Sequence, residues 1–427
     1  MADETDKTAL ERLAAQIFSD DEFEGAVPNL FGERNPSAED YDLDMESVAD
    51  LFERQAVAIA AQRAEATHLL EQLETHSHAR RQLLVRNSRR YRSWPLCELV
   101  LEKAFDLGSS DPSAGVEWAE TGLAISQQLQ PEDYGDRIVQ DFQGRAWTVL
   151  GGVLRVISQL KEAERAFAKG AKALEQGTGD PLENGNHARM LGALRLDQGR
   201  YSEACSSYDQ AIRLYRLIGE THLAARATID KAITLGEAGD TDRAIELTRE
   251  GLENIDGTRE PRMVLVAKHN LVLLLEENGQ LQEAVGGIEE VRRLHRQLGN
   301  AIDMLRLKWL EGKLNAGLGL HSRAERDFRN VHDAFVEKNI PYDAALVSLD
   351  LAVLFLDQGR TAEIKQLAAE MLPVFQTLDI HREALAALAL FHQAAQMETV
   401  SVGLVRQLVR YLETAEGRPG VEFDPTH

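Results

Sequence analysis

Along most of this chain apolar residues recur at spacings of three and four, and short polar stretches carrying a glycine break the pattern at regular intervals. The segment LDQGRYSEACSSYDQAIRLY, residues 196–215, shows one such break at Gly199. The same position returns as Gly239, Gly279, Gly319 and Gly359, forty residues apart each time. Five positions after each glycine stand Ala204, Ala244, Ala284, Ala324 and Ile364, and seven before it stand Gly192, Ala232, Val272, Gly312 and Ala352. Small residues at two fixed offsets suit antiparallel helices that cross closely, because a bulkier side chain at the crossing pushes the axes apart. The larger apolar positions, such as Leu191, Tyr208 and Ile212 or Leu271, Ile288 and Val291, follow helical rather than strand spacing. Each unit is therefore predicted to be a helix, a glycine turn and a second helix.

The links between units repeat as well. Gly219, Gly299, Asn339 and Asp379 fall in register, and these residue types best tolerate a left-handed helix cap. Pro131, Pro181, Pro261 and Pro341 mark places where one helix stops and the next begins. One step upstream, Ser158 takes the turn position, with Gly151, Ala163 and Phe167 at the matching offsets. A further pair is expected to turn near Ser109 with Ala114 as its small residue, and residues 382–415 give a last pair turning near Thr399 that caps the array. About eight helix pairs result over residues 95–416.

Leu191, Gly192, Gly199, Ala204, Tyr208 and Ala211 resemble the tetratricopeptide repeat, whose signature is a Leu-Gly in the first helix, a glycine turn, and Ala, aromatic and Ala positions in the second. The period departs from the family's usual length, forty against about thirty-four, as in the extended repeats of some bacterial regulators and scaffolds. Thr248 and Ala368 stand where the aromatic belongs, and Ile364 where the Ala belongs. The resemblance implies an all-α fold, a right-handed superhelical solenoid of antiparallel helix pairs whose first helices line a concave groove for a peptide, a helix or a domain. Under that register Arg145, Asn186, Arg226 and Arg306 face the groove at one offset, Arg189, His269 and Trp309 at another, and Asp230, Asn270 and Asp350 beside them. A stripe of arginines favours a partner with an acidic segment, and Asn270 is of the type that clamps peptide backbone. Alternatively, the arginines pair with Asp and Glu of neighbouring repeats and only solvate the face.

Charge narrows the partners. The net charge of −23 opposes nucleic acid and anionic membrane surfaces, which reward a basic field. Cys97 and Cys205 form no C-x-x-C pair, and neither a signal peptide nor a run of eighteen apolar residues is present, so a cytoplasmic protein without membrane spans is expected. The first fifty residues hold fifteen acids and three bases, which predicts a largely disordered acidic arm over residues 1–44, with ALERLAAQIF and AVPNLF as apolar islands. Residues 45–94 read as a long amphipathic helix, with Val48, Phe52, Ile59, Ala66, Leu69, Leu70 and Leu73 on one side, followed by an Arg-rich connector. Arg80, Arg81, Arg86, Arg89, Arg90 and Arg92, with Tyr91 and Trp94, either grip phosphates or an acidic surface, or neutralise the arm while Leu83, Leu84 and Val85 join the core. Residues 417–427 form a tail.

No phosphate-cradling loop, H-E-x-x-H or G-x-S-x-G elbow occurs, and His76 and His78 lack a third metal ligand in register. The expectation is a non-enzymatic scaffold without cofactor that binds another protein or a peptide in its groove. The alternative is a signal-responsive bacterial regulator that senses a ligand or peptide.

Overall fold

The computed structural model describes residues 45–377, 382–415 and 423, with side chains described from residue 60 onward except at Ser109, residues 372–383 and Thr414. The expectations placed on residues 1–44, on Asp379, on most of the tail and on the side chains of Val48, Phe52 and Ile59 lie outside the described residues. The chain divides into two units, Met1–Glu65 and Ala66–His427. The first unit is described only by the start of helix α1, Met45–Glu74.

In the second unit the regular elements among the described residues are all helices. An entry segment comprises the end of α1, helix α2 (His78–Asn87) and a short 3-10 turn (Arg89–Tyr91). Eight helix pairs follow, with one short helix, α5 (Pro131–Tyr134), between the first two. The pairs are α3 (Trp94–Ser110) with α4 (Pro112–Ser126), α6 (Asp136–Val156) with α7 (Leu160–Gln176), and α8 (Pro181–Asp197) with α9 (Tyr201–Leu217). Next come α10 (Thr221–Glu237) with α11 (Thr241–Asn254), α12 (Pro261–Glu277) with α13 (Leu281–Leu298), and α14 (Ala301–Gly317) with α15 (His321–Glu337). The array closes with α16 (Pro341–Asp357) and α17 (Thr361–Thr377), then α18 (Arg382–Gln396) and α19 (Val402–Ala415). Successive first helices touch one another while successive second helices scarcely do. The layer in contact is the inner one, so the unit is a right-handed α-solenoid whose first helices face the concave side.

The glycine turns work by one device. Gly199 adopts φ 70, where an L side chain is strained, and this lets Arg200 N–H reach Arg195 O at 2.8 Å and Gly199 N–H reach Leu196 O at 2.8 Å. Two carbonyls at the helix end that would otherwise lack partners are thereby satisfied. The i→i−5 bond recurs from Asp240, Gln280, Leu320 and Arg360. Ser158 and Asn339 hold the same backbone at φ 58 and 57 without being glycine. Two expectations shift. Gly299 is extended rather than left-handed, and Asn300 beside it closes a capping box with Asp303. The last pair turns at Glu398, one position before Thr399. In the first pair the close contact is made by Gly115, where a Cβ would stand 3.2 Å from Ala104 O, while Ala114 stays half-exposed.

Packing between the helices of a pair is a matter of complementary volume. A Cβ on Gly192 would stand 2.8 Å from the Tyr208 ring, one on Gly312 2.7 Å from Phe328 and one on Gly151 2.9 Å from Phe167. Where the second helix carries Thr248, Ile288 or Ala368 instead of an aromatic, the first carries Ala232, Val272 or Ala352, all buried. Each fully buried aromatic contributes about 1.5 to 3 kcal/mol relative to exposure. Thr248 offsets the loss of its water by donating to Ala244 O at 2.7 Å.

In the entry segment Ala66, Leu69 and Leu73 are buried with Val85, Tyr91 and Leu96. Leu83 is 51% exposed, so the run of three apolar residues does not enter the core as a block. Its helix turns only Val85 fully inward, with Leu84 packed at the margin.

Candidate functional site: a pocket on the concave face

The arginines assigned to the groove form a ladder between repeats. Arg145 meets Glu98 at 3.2 Å and Glu183 at 3.7 Å. Arg189 meets Asp230 at 3.1 Å, Arg226 meets Glu260 at 2.5 Å and Arg306 meets Asp343 at 3.2 Å. Asn186 accepts from the Tyr215 hydroxyl at 2.8 Å. Each of these arginines reaches an acid on the next first helix or its cap, so the stripe holds neighbouring repeats together. Burial opposes the charge on Arg145 and Arg189, yet the facing carboxylates outweigh it and hold both above the ordinary guanidinium range. Burial also lifts Glu183 to about 7, against the pull of Arg145.

His269, Asn270, Arg306, Trp309 and Asp350 converge on one pocket of about 280 Å3, whereas Arg145, Asn186, Arg189, Arg226 and Asp230 lie elsewhere along the array. Helices α12, α14 and α16 supply most of the wall, since residues one turn apart on a first helix share its inner face. Trp309 donates from Nε1 to Asp350 Oδ2 at 2.6 Å, and its ring meets Phe335 edge-on at 6.2 Å. Lys313 donates from Nζ to Asp350 Oδ1 at 3.3 Å. Leu265, Leu273, Leu310 and Leu346 make the apolar floor.

The polar groups divide into two ends. At one end the His269 Nδ1 and His295 Nε2 atoms lie 3.1 Å apart. His295 is 4% exposed, and its Nδ1 is buried without a partner. Burial, with help from His295 and Arg306, depresses His269 to about 4, and burial lowers His295 as well, so both rings are neutral near pH 7. At the other end Lys313 sits among carboxylates. Burial disfavours its charge, but Asp350, Glu276, Glu277 and Glu413 prevail and raise it above the ordinary ammonium range. Glu277 and Glu413 line the pocket and take no hydrogen bond or ion pair among the described residues. Both side chains are open to the water of the groove. Desolvation by the surrounding helices raises both, Glu413 to about 7, partly countered by Lys313. The Asn270 side-chain amide likewise has no partner among the described residues.

Sequence reasoning missed the second half of this site. His295 comes from a second helix, and Val409 and Glu413 come from α19. That helix packs on α16, so the last pair reaches back over the inner face instead of continuing the stack. One rung of the ladder was legible, because Asp230 follows Arg189 by 41 positions, as Asp303 follows Arg262 and Asp350 follows Trp309, whereas Glu260 and Asp343 follow Arg226 and Arg306 by 34 and 37.

The basic connector is only partly a surface. Arg81 is 6% exposed, stacks 4.2 Å from the Trp118 ring and pairs with Glu117 at 2.8 Å, whereas Arg80, Arg86, Arg89 and Arg90 are exposed. Arg92 is half-buried and donates to Arg86 O at 2.5 Å. His78 meets Glu120 at 3.1 Å, and among the described residues no cluster of three metal-ligating side chains occurs. Among them, too, no helix is long and apolar enough to cross a membrane.

Residues 184–255, which span two of the eight pairs, match the family described as tetratricopeptide repeat. No curated protein matches. Among solved structures the chain is similar to a Rap protein complexed with Competence and Sporulation Factor, at 14% identity and TM-score 0.53 over 75% of this chain and 87% of that one. It is also similar to the apo form of RapI, at 12% identity and TM-score 0.49 over 70% and 98%. A third is aspartyl phosphate phosphatase F from Bacillus subtilis, at 10% identity and TM-score 0.47 over 77% and 74%. The fold comparison rests on the first. Residues 184–255 therefore carry tetratricopeptide repeats, and the helix pairs on either side extend the same helical-hairpin fold.

Proposed function

We propose that this protein is a non-catalytic scaffold that holds a peptide or helical segment of another protein in its concave groove, at the pocket between α12, α14, α16 and α19. The observation that carries this reading is the unpartnered amide of Asn270 beside an apolar floor and the Trp309 ring. An amide that both donates and accepts matches a peptide backbone, and the floor takes an apolar side chain. Because the groove's arginines are engaged in the ladder while Glu277 and Glu413 are open, the occupant best suited to this pocket presents a cationic group toward them. The Rap structure to which the chain is similar is itself a complex with Competence and Sporulation Factor, which supports the class of activity.

A second reading, a signal-responsive regulator, is favoured by α19. Because Val409 and Glu413 form part of the wall, filling the pocket changes the contacts of the C-terminal helix as well as those of the repeats.

The test is selection of binders from a displayed random peptide library on the full-length protein, with Asn270→Ala and Trp309→Ala as counter-selections. Enriched peptides should share an apolar residue and a Lys or Arg, and should bind either variant at least about tenfold more weakly. Binders indifferent to both variants would place the activity elsewhere.

A further inference from the structure

On the outer layer of the array lies a cleft of different character. It opens about 460 Å3 to solvent and is lined by residues of α13, α14 and α15. Its carboxylates are already engaged: Glu289 and Glu311 hold Arg292, and Glu311 and Asp327 hold Lys308 at 3.1 and 3.2 Å. Arg323 and Arg326 are left over. Both line the cleft, both are exposed, and neither side chain has a hydrogen bond or ion pair among the described residues. Beside them Val285 and Leu318 are 38% and 49% exposed, and Met304 at 40% lines the adjoining hollow. Exposed apolar side chains scattered singly mean little, but here they gather beside unpaired cations in one depression.

We propose that this outer cleft docks an amphipathic acidic helix of a partner protein, with its apolar side on Val285 and Leu318 and its carboxylates on Arg323 and Arg326. A trough between two successive outer helices has the shape that a third helix fills, with its ridge between theirs. Charge selects the occupant. A chain of net charge −23 repels extended polyanions such as nucleic acid at long range, whereas a short segment with a few carboxylates meets, at contact, two guanidinium groups free of ion pairs in a cleft lined by four cations and three carboxylates. The acidic partner expected of the groove thus finds its unpaired arginines on the opposite layer. This proposal is independent of the concave pocket, and the two readings fail separately.

The probe is a fluorescein-labelled helical peptide of Leu and Glu in amphipathic order, titrated against the full-length protein by anisotropy. A control peptide carries Lys in place of Glu. We expect the acidic peptide to bind and the Lys peptide not to, with affinity lost at least about tenfold in Arg323→Glu/Arg326→Glu and at about 0.5 M salt. Trp309→Ala should leave binding unchanged. Leu318→Ser, which removes only an exposed side chain, should also weaken binding and serves where the charge reversal fails to fold. The proposal is overturned by absence of binding, by equal binding of the Lys peptide, by indifference to both outer-face variants, or by loss in Trp309→Ala. Displacement of the peptide by duplex DNA would overturn it in favour of a nucleic-acid surface.

Discussion

Trp309 and Asp350 stand 41 residues apart, and the indole Nε1 of one donates to the carboxylate of the other at 2.6 Å across a repeat boundary. Asp350 also holds Lys313 at 3.3 Å, so a single carboxylate ties α14 to α16 and fixes the aromatic wall of the pocket. Asp350→Ala leaves the indole N–H without its acceptor and removes the direct partner of Lys313. The expected cost is about 1 to 3 kcal/mol, with Asp350→Asn costing less because an acceptor remains. Urea midpoints of the three proteins measure it, and an unchanged midpoint in Asp350→Ala contradicts the assigned contact.

The volume rule inside each pair predicts opposite effects for two glycines. Gly312→Ala drives a methyl into the Phe328 ring, where the Cβ would lie 2.7 Å from a ring carbon. It should cost about 1 to 3 kcal/mol, and Phe328→Leu in the same chain should recover part of that. Gly286, inside α13, has nothing within 4 Å of its missing Cβ. Gly286→Ala should stabilise by about 0.5 to 1 kcal/mol through helix propensity. Thermal melts of both variants read the sign directly.

At the turns, Ser158 pays for a left-handed backbone that its neighbours in register give to glycine, with φ 58 against 70 at Gly199. Ser158→Gly is therefore expected to raise stability by about 1 kcal/mol, and Gly199→Ala to lower it by about 1 to 2 kcal/mol. Equal melting temperatures for the two variants would show that the turn is not what sets the conformation.

Buried histidines make stability fall in mild acid. His187 is 8% exposed, its Nδ1 lies 2.8 Å from the Thr148 hydroxyl oxygen, and burial with Arg195 nearby depresses it to about 4. A folded-state value below the unfolded one means that the contribution is complete above the unfolded value of about 6.5, and is lost as pH falls toward 4. Glu183, lifted to about 7 by burial, acts in the other direction: its contribution is complete below about 4.5 and is lost as pH rises toward 7. His187→Leu should flatten the acid-side fall by about 1 to 3 kcal/mol between pH 7 and 4.5, and Glu183→Gln should steepen it. Urea unfolding at the two pH values separates these outcomes.

Much of the architecture was written in the spacing. Gly199 and its four partners in register name the turns because only a left-handed backbone closes the i→i−5 bond, and that need is local. The pairing of Gly192 with Tyr208 and of Ala232 with Thr248 names the helix contacts, because two crossing helices share one fixed volume. One rung of the ladder, with Asp230 placed 41 residues after Arg189, follows from the period once the first helices are known to touch, whereas Arg226 with Glu260 and Arg306 with Asp343, 34 and 37 residues apart, do not. Three matters needed the tertiary structure. Whether an arginine on the inner face is spent or open depends on which carboxylate lies across the repeat boundary, and Arg189 is engaged while Arg323 on the outer layer is not. The pocket requires α19 to fold back on α16, a contact between elements with no shared register, and no periodic pattern encodes it. The neutral pair of His269 and His295 arises because a second helix projects one ring inward against the first, and burial, set by all the surrounding helices together, decides its protonation. Repetition fixes what each unit does to its neighbour, since those forces act over one period of chain. Where the array ends and doubles back, the chain meets itself at long range, and packing alone decides what gathers there.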